Sequence, residues 1–176
     1  MEGAVVVKRH LTAVRRNKQS MPLRVAMENG FLGDRRASVL DYGCGRGDDI
    51  EYLTQAGYKR VTGYDPYFRL DDQESLKKAS YTLLVYVLCV IEDKDERRFV
   101  LRRAWSLTKK RMLVAVRPPD FKLLNRYQTD PLNFEVYTAR KTFQKFWTPS
   151  GLVAFINDCL GDVPIKRVND FIYIIG

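Results

Sequence analysis

The sequence predicts an α/β protein built on one doubly wound sheet, mostly parallel, with an antiparallel C-terminal strand. Three observations predict it. Short apolar runs alternate with amphipathic segments of helical length, the pattern of strand–helix–strand units. The first run ends at Asp41 and passes directly into a glycine turn and a helix start. The chain closes on two apolar runs around Asn169-Asp170, which read as a hairpin.

Taken in order, residues 1–24 form a basic arm in which Lys8 to Lys18 makes an extended segment or short helix. Ser20 before Pro22 starts a helix that Gly30 stops, with Leu23, Ala26 and Met27 on its buried face. Ala37 to Asp41 is the first strand. The helix from Asp48 ends at Gly57, and Arg60 to Asp65 is the second strand, a parallel neighbour of the first. Between Pro66 and Ala79 stands only a charged stretch, Asp71 to Lys78, so the usual third strand and helix are shortened or lost. Tyr81 to Ile91 is almost wholly apolar, which suits a central strand covered on both faces and the start of its loop. Asp93 to Thr108 reads as a helix with Phe99, Val100, Ala104 and Trp105 inward. Arg111 to Val116 is a strand stopped by Pro118-Pro119, and a long basic segment then reaches Lys145. Ser150 to Leu160 is a helix closed by Gly161, and Val163–Val168 and Phe171–Ile175 make the final hairpin. Its 176 residues suffice for a single domain with a sizeable core.

Charge is unevenly placed along this chain. Of the net +9, residues 1–24 supply six Lys/Arg against one acid, and residues 109–145 supply nine against three. Positive charge segregated in this way fits a polyanionic partner, whose phosphates it would contact. No apolar run is long enough to span a bilayer, and Ala4 to Val7 is too short for a signal-peptide core, so the expectation is a cytoplasmic protein without a membrane partner. Three scattered cysteines and one histidine fit neither a disulfide framework nor a structural metal.

The chemistry concentrates in Val-Leu-Asp-Tyr-Gly-Cys-Gly-Arg-Gly, residues 39–47. A dinucleotide fingerprint reads G-x-G-x-x-G, whereas this turn reads G-x-G-x-G and is followed by Asp48 and Asp49. Those acids would repel a pyrophosphate at the helix N-terminus, but they tolerate a ligand that carries an ammonium beside its carboxylate. Leu-Asp-Tyr-Gly-Cys-Gly-Arg-Gly resembles the first motif of class I S-adenosylmethionine-dependent methyltransferases. The resemblance implies a Rossmann-like methyltransferase sheet and a cofactor site at Asp41, Tyr42, Gly43, Cys44, Gly45 and Gly47. Asp65, at the end of the second strand, is placed to accept both ribose hydroxyls, or serves as a strand-end turn residue. Pro66 and Tyr67 could pack along the adenine. Tyr86, at the exit of the central strand, could touch cofactor or substrate, or belong to the core. Cys89 lacks the preceding proline and the general base of a nucleophilic cysteine.

Candidate acceptor-binding residues are Arg9, His10, Arg15, Arg117, Gln144 and Lys145. The stretch Arg140 to Thr148 interleaves aromatic residues with cations and amides, which suits base stacking or an amphipathic strand with Phe143 and Trp147 buried. His10 could be a general base or phosphate ligand, or a surface residue of the arm. Arg9-His10, Ser20-Met21-Pro22-Leu23-Arg24, Asp41 to Asp49, Asp65-Pro66-Tyr67, Val90-Ile91-Glu92-Asp93 and Thr142 to Phe146 together resemble the DNA phosphorothioation-associated methyltransferase family. Members of that family tend to carry an asparagine where Cys89 stands, and to continue into a longer C-terminal region. The resemblance implies methyl transfer from S-adenosylmethionine to DNA or RNA. A non-catalytic module of the same fold and a small-molecule methyltransferase are the alternatives.

Overall fold

The computed structural model describes residues 7–69, 76–127 and 133–176. Its elements are a 3-10 turn Arg9–Thr12, α1 Met21–Glu28, β1 Ser38–Tyr42, α2 Asp48–Gln55, β2 Arg60–Tyr64, β3 Ala79–Val85 and α3 Lys94–Ser106. These are followed by β4 Thr108–Ala115, α4 Phe121–Tyr127, β5 Glu135–Tyr137, β6 Phe143–Lys145, α5 Pro149–Leu160, β7 Ile165–Asn169 and β8 Ile172–Ile175. Six strands form one sheet in the order β2-β1-β3-β4-β8-β7. The pairs β2–β1, β1–β3 and β3–β4 are parallel, and β8 runs antiparallel between β4 and β7. This is the predicted architecture. Among the described residues β2 is the edge strand, as a lost third unit requires; Asp71 to Ser75 of the charged stretch, and Ala4 to Val6 of the N-terminal run, lie outside them.

The sheet is covered on both faces because its central strands are apolar at odd and even positions alike. Leu40, Leu84, Met112 and Val114 meet Leu101 and Ala104 of α3 and Leu152 and Ile156 of α5. Val39, Leu83, Leu113 and Ile174 meet Leu23 and Ala26 of α1 and Leu53 of α2. α1 and α3 start at the expected Ser20 and Asp93, and α5 starts at Pro149, one residue before the expected Ser150. The hydroxyl of Ser20 accepts from Leu23 N, Asp93 from Glu96 N and Thr148 from Gly151 N, each capping an N-terminus.

Two regions depart from the sequence reading. Phe99, expected inward, is 64% exposed, and the inward positions of α3 are Arg97, Leu101 and Ala104. Arg97 takes that place because Glu135 of β5 supplies a carboxylate 2.9 Å away and the ring of Phe143 lies alongside. The basic segment after Pro119 is not a bare loop. It folds as α4 and the β5–β6 hairpin around Leu124, Val136 and Phe146. Phe143 and Trp147 are buried there, so the amphipathic-strand reading of this stretch is the one the structure adopts.

Candidate active site

The carboxyl ends of β1, β2 and β3 open into a cavity of about 790 Å³. That is toward the upper end for a ligand pocket, which typically spans about 300–1,000 Å³. The glycine turn forms its floor. Gly43 has φ +85° and donates its N–H to Tyr64 O at 2.7 Å. A β-carbon at Gly43 would lie 2.3 Å from a methyl of Val87, so the chain tolerates only glycine there. Gly47, at φ +84°, turns the chain into α2.

Asp65 reaches across to this turn. One carboxylate oxygen accepts from Gly45 N at 2.9 Å; the other accepts from Tyr67 N at 2.9 Å and Phe68 N at 3.0 Å. It therefore acts as a turn residue, and the oxygen on Gly45 keeps a free lone pair beside the cavity. The side chains of Pro66 and Tyr67 continue this wall, and the Tyr67 ring stacks on His10 at 4.1 Å.

The acids after the turn have a task that the sequence did not show. Asp49 accepts from Ser20 N at 2.5 Å and faces Arg16 at 3.4 Å; Asp48 accepts from Arg16 N at 2.7 Å and faces Arg15 at 3.6 Å. Together they bind the N-terminal arm over the cavity. Arg9 fixes the arm at the other end, bidentate to Glu96 at 2.5 and 2.7 Å and bonded to Glu92 at 2.8 Å. Asp41 lies beneath, 3% exposed. Burial, with Asp49 nearby, pushes its carboxyl up to about 8. Burial likewise holds the thiols of Cys44 and Cys89 up at about 12, which leaves neither as a nucleophile.

The other end of the cavity is built from the exits of β3 and β4 and from β6. Tyr86 follows β3 with φ +61°, a strained conformation for a tyrosine, held by its N–H on Ala115 O at 2.8 Å. Cys89 accepts from Arg117 N at its sulfur (3.1 Å) and from Lys145 N at its carbonyl (2.7 Å). These bonds lock the β3 loop to the exit of β4 and to β6. Arg117 then donates to Gln144 Oε1 at 3.2 Å.

A family model described as Methyltransferase domain matches residues 14–162. The chain belongs to the methyltransferase domain family. S-adenosylmethionine is the methyl donor of this family, and the glycine cradle, the free lone pair on Asp65 and the buried acid Asp41 fit it. No curated protein matches the chain by sequence. Solved structures share its fold. One is the PH0226 protein of Pyrococcus horikoshii, at TM-score 0.61 and 14% identity over 93% of each chain. Another is magnesium protoporphyrin IX methyltransferase of Synechocystis with bound SAH, at 0.58 and 17%, covering 95% of this chain and 91% of that one. A third is a chain of the Pnkp1/Rnl/Hen1 RNA repair complex, at 0.53 and 14%, covering 86% of this chain and 40% of that one.

On this methyltransferase, Asp41, Tyr42, Gly43, Cys44, Gly45, Asp65, Pro66 and Tyr86 line one cavity with Arg9, His10, Arg117 and Gln144. Gly47 stands behind its floor. Arg15 sits outside, paired with Asp48. Lys145 turns away to Asn133 O at 2.7 Å and Glu135 at 3.6 Å. Arg16, Val87, Pro118 and Phe171 also line the cavity; Arg16 and Val87 lie in stretches the sequence marked, whereas Pro118 and Phe171 were not among the expected site residues. Among the described residues no cluster could hold a metal ion, and no helix is long and apolar enough to cross a membrane.

Proposed function

We propose that this methyltransferase transfers the methyl group of S-adenosylmethionine to a nucleic acid. One observation carries the reading. The two basic segments of the sequence meet beside the cavity, where Lys8 N donates to Lys141 O at 2.7 Å. Lys8, Arg117, Arg140 and Lys141 have no ion-pair partner among the described residues, so this rim keeps its charge for phosphates.

The bound cofactor supplies an activated methyl group on a sulfonium. Asp41, Gly43 and Gly45 hold its amino-acid end, Asp65 holds the ribose, and Pro66 and Tyr67 flank the adenine. Tyr86, Arg117 and Gln144 hold the acceptor in line with the transferred methyl, and positioning of this kind supplies most of the rate. A ring nitrogen that carries a free lone pair needs no general base as acceptor.

A second reading, a small-molecule acceptor, draws on the Synechocystis neighbour, named for magnesium protoporphyrin IX. Incubation with tritiated S-adenosylmethionine and separate DNA, transfer-RNA and low-mass metabolite pools distinguishes the two. Label in a nucleic-acid pool that declines as salt is raised supports the proposal; label confined to the metabolite pool rejects it.

A further inference from the structure

Nine Lys/Arg and one acid stand where the four parallel strands begin, in residues 33–38, 57–60, 76–79 and 107–111, and all nine cations are exposed. The acid, Asp34, pairs with Arg36 at 3.0 Å, and Arg111 donates to Gly30 O at 2.8 Å. Arg35, Lys59, Arg60, Lys78, Lys109 and Lys110 have no ion-pair partner among the described residues. Parallel pairing sets these starts side by side: Ser38 lies beside Arg60, Ala79 beside Thr108, and Lys59 N donates to Arg35 O at 3.4 Å. This edge is the far end of the sheet from the cavity, which takes the carboxyl ends of the strands. The seven residues of β3 put about 20 Å between the two.

Compensation of helix dipoles does not account for these cations, because α1, α2 and α5 carry no basic residue in their last turn. The make-up of the edge narrows its partner. A protein interface has an apolar, aromatic core poor in lysine, and an interfacial membrane segment buries apolar anchors. A single strand is held on aromatic rings that stack its bases. None of the large apolar side chains exposed among the described residues belongs to this edge. Four adjacent strand starts span about 15 Å, enough to reach phosphates on both sides of a major groove about 12 Å wide. We propose that the amino-terminal edge of β1 to β4 binds the phosphate backbone of a nucleic-acid duplex without reading its sequence. The edge lies outside the cavity, so this holds whichever acceptor is methylated.

A fluorescein-labelled DNA duplex of about 20 base pairs and mixed sequence is titrated with the full chain, saturated in S-adenosylhomocysteine, at about 50–200 mM salt. The combined variant Lys59→Ala, Arg60→Ala, Lys109→Ala and Lys110→Ala should lower the slope of log affinity against log salt by about one per cation. It should also weaken binding at least about tenfold at the low-salt end. A matched variant, Lys18→Ala, Arg24→Ala, Lys122→Ala and Arg126→Ala, loses the same charge elsewhere on the surface and should change both less. The labelled single strand should bind more weakly than the duplex. Unchanged affinity for S-adenosylhomocysteine in both variants certifies the fold. Equal losses in the two variants, or tighter binding of the single strand, overturn the proposal. So does a wild type that binds no duplex; if it then holds phosphatidylserine vesicles through the edge cations, the face is a membrane surface. The tritium assay tests the acceptor separately: label in a nucleic-acid pool with an inert edge, or none with a binding edge, tells the two failures apart.

Discussion

Asp49, in the first turn of α2, accepts the backbone N–H of Ser20 at 2.5 Å and so ties the start of α1 to the floor of the cavity. Its carboxylate is 3% exposed and also faces Arg16. Asp49→Ala leaves both donors without their partner. We expect a loss of about 2–3 kcal/mol in stability, since hydrogen bonds to a charged group are the costly ones to remove. Hydrogen exchange should rise most sharply over residues 8–20. Uniform exchange across the chain would argue against a role in holding the arm.

With Asp41 at the amino-acid end of the cofactor, as we propose, cofactor binding should depend on pH. Burial and its acidic neighbours raise its carboxyl from 3.8 to about 8, so at neutral pH the free protein holds this proton. A ligand ammonium favours the carboxylate, so binding below that value releases the proton, and affinity for S-adenosylhomocysteine should rise with pH up to about 8. Calorimetry in two buffers of different ionisation heat counts the proton, and Asp41→Asn should abolish the exchange. For folding the sign is reversed. The native state binds a proton that the unfolded chain has lost, so the contribution of Asp41 to stability falls as pH rises from 3.8 to about 8.

The turn role of Asp65 and the ribose contact we propose for it can be separated. Asp65→Ala removes the acceptor of three backbone N–H groups and should lower both the melting temperature and the cofactor affinity. Asp65→Asn keeps one carbonyl oxygen for Tyr67 and Phe68 but turns an N–H2 group toward Gly45 and the ribose. The expected result is an affinity at least about tenfold weaker with a smaller loss of melting temperature. Equal binding by Asp65→Asn and wild type would restrict Asp65 to its turn.

Arg9 and Glu96 close the opposite end of the arm. Both side chains are partly exposed, so their coupling should be modest, about 1 kcal/mol in a double-mutant cycle of Arg9→Ala and Glu96→Ala. Salt should weaken this clasp, and release of S-adenosylhomocysteine should quicken in Arg9→Ala if the arm roofs the bound cofactor. A stopped-flow release rate equal to that of the wild type would exclude such a roof.

Local rules carried the fold a long way. The alternation of apolar runs, the helix starts at Ser20 and Asp93, and the glycines at 43, 45 and 47 are all short-range signals, and each produced the element it announced. Phe99 and Arg97 mark where such signals end. Helical periodicity favours the aromatic inside, yet Glu135, 38 residues away, gives the arginine a buried partner and leaves Phe99 to the surface. The hairpin that supplies Glu135 was legible only as a basic, aromatic stretch, because strands of three residues carry too little pattern to register.

The sequence by itself determined the sheet, the glycine cradle and the cofactor class, because the residues of a strand–turn–helix are neighbours along the chain. Tertiary structure alone decided what the charges do. It spends Arg9, Arg15 and Arg16 on the arm's ion pairs and turns Lys145 to Glu135. It also brings Lys8 to Lys141 and sets Arg117 against Gln144. A charge counts toward a partner only when no opposite charge folds beside it, and such pairings join residues far apart in sequence.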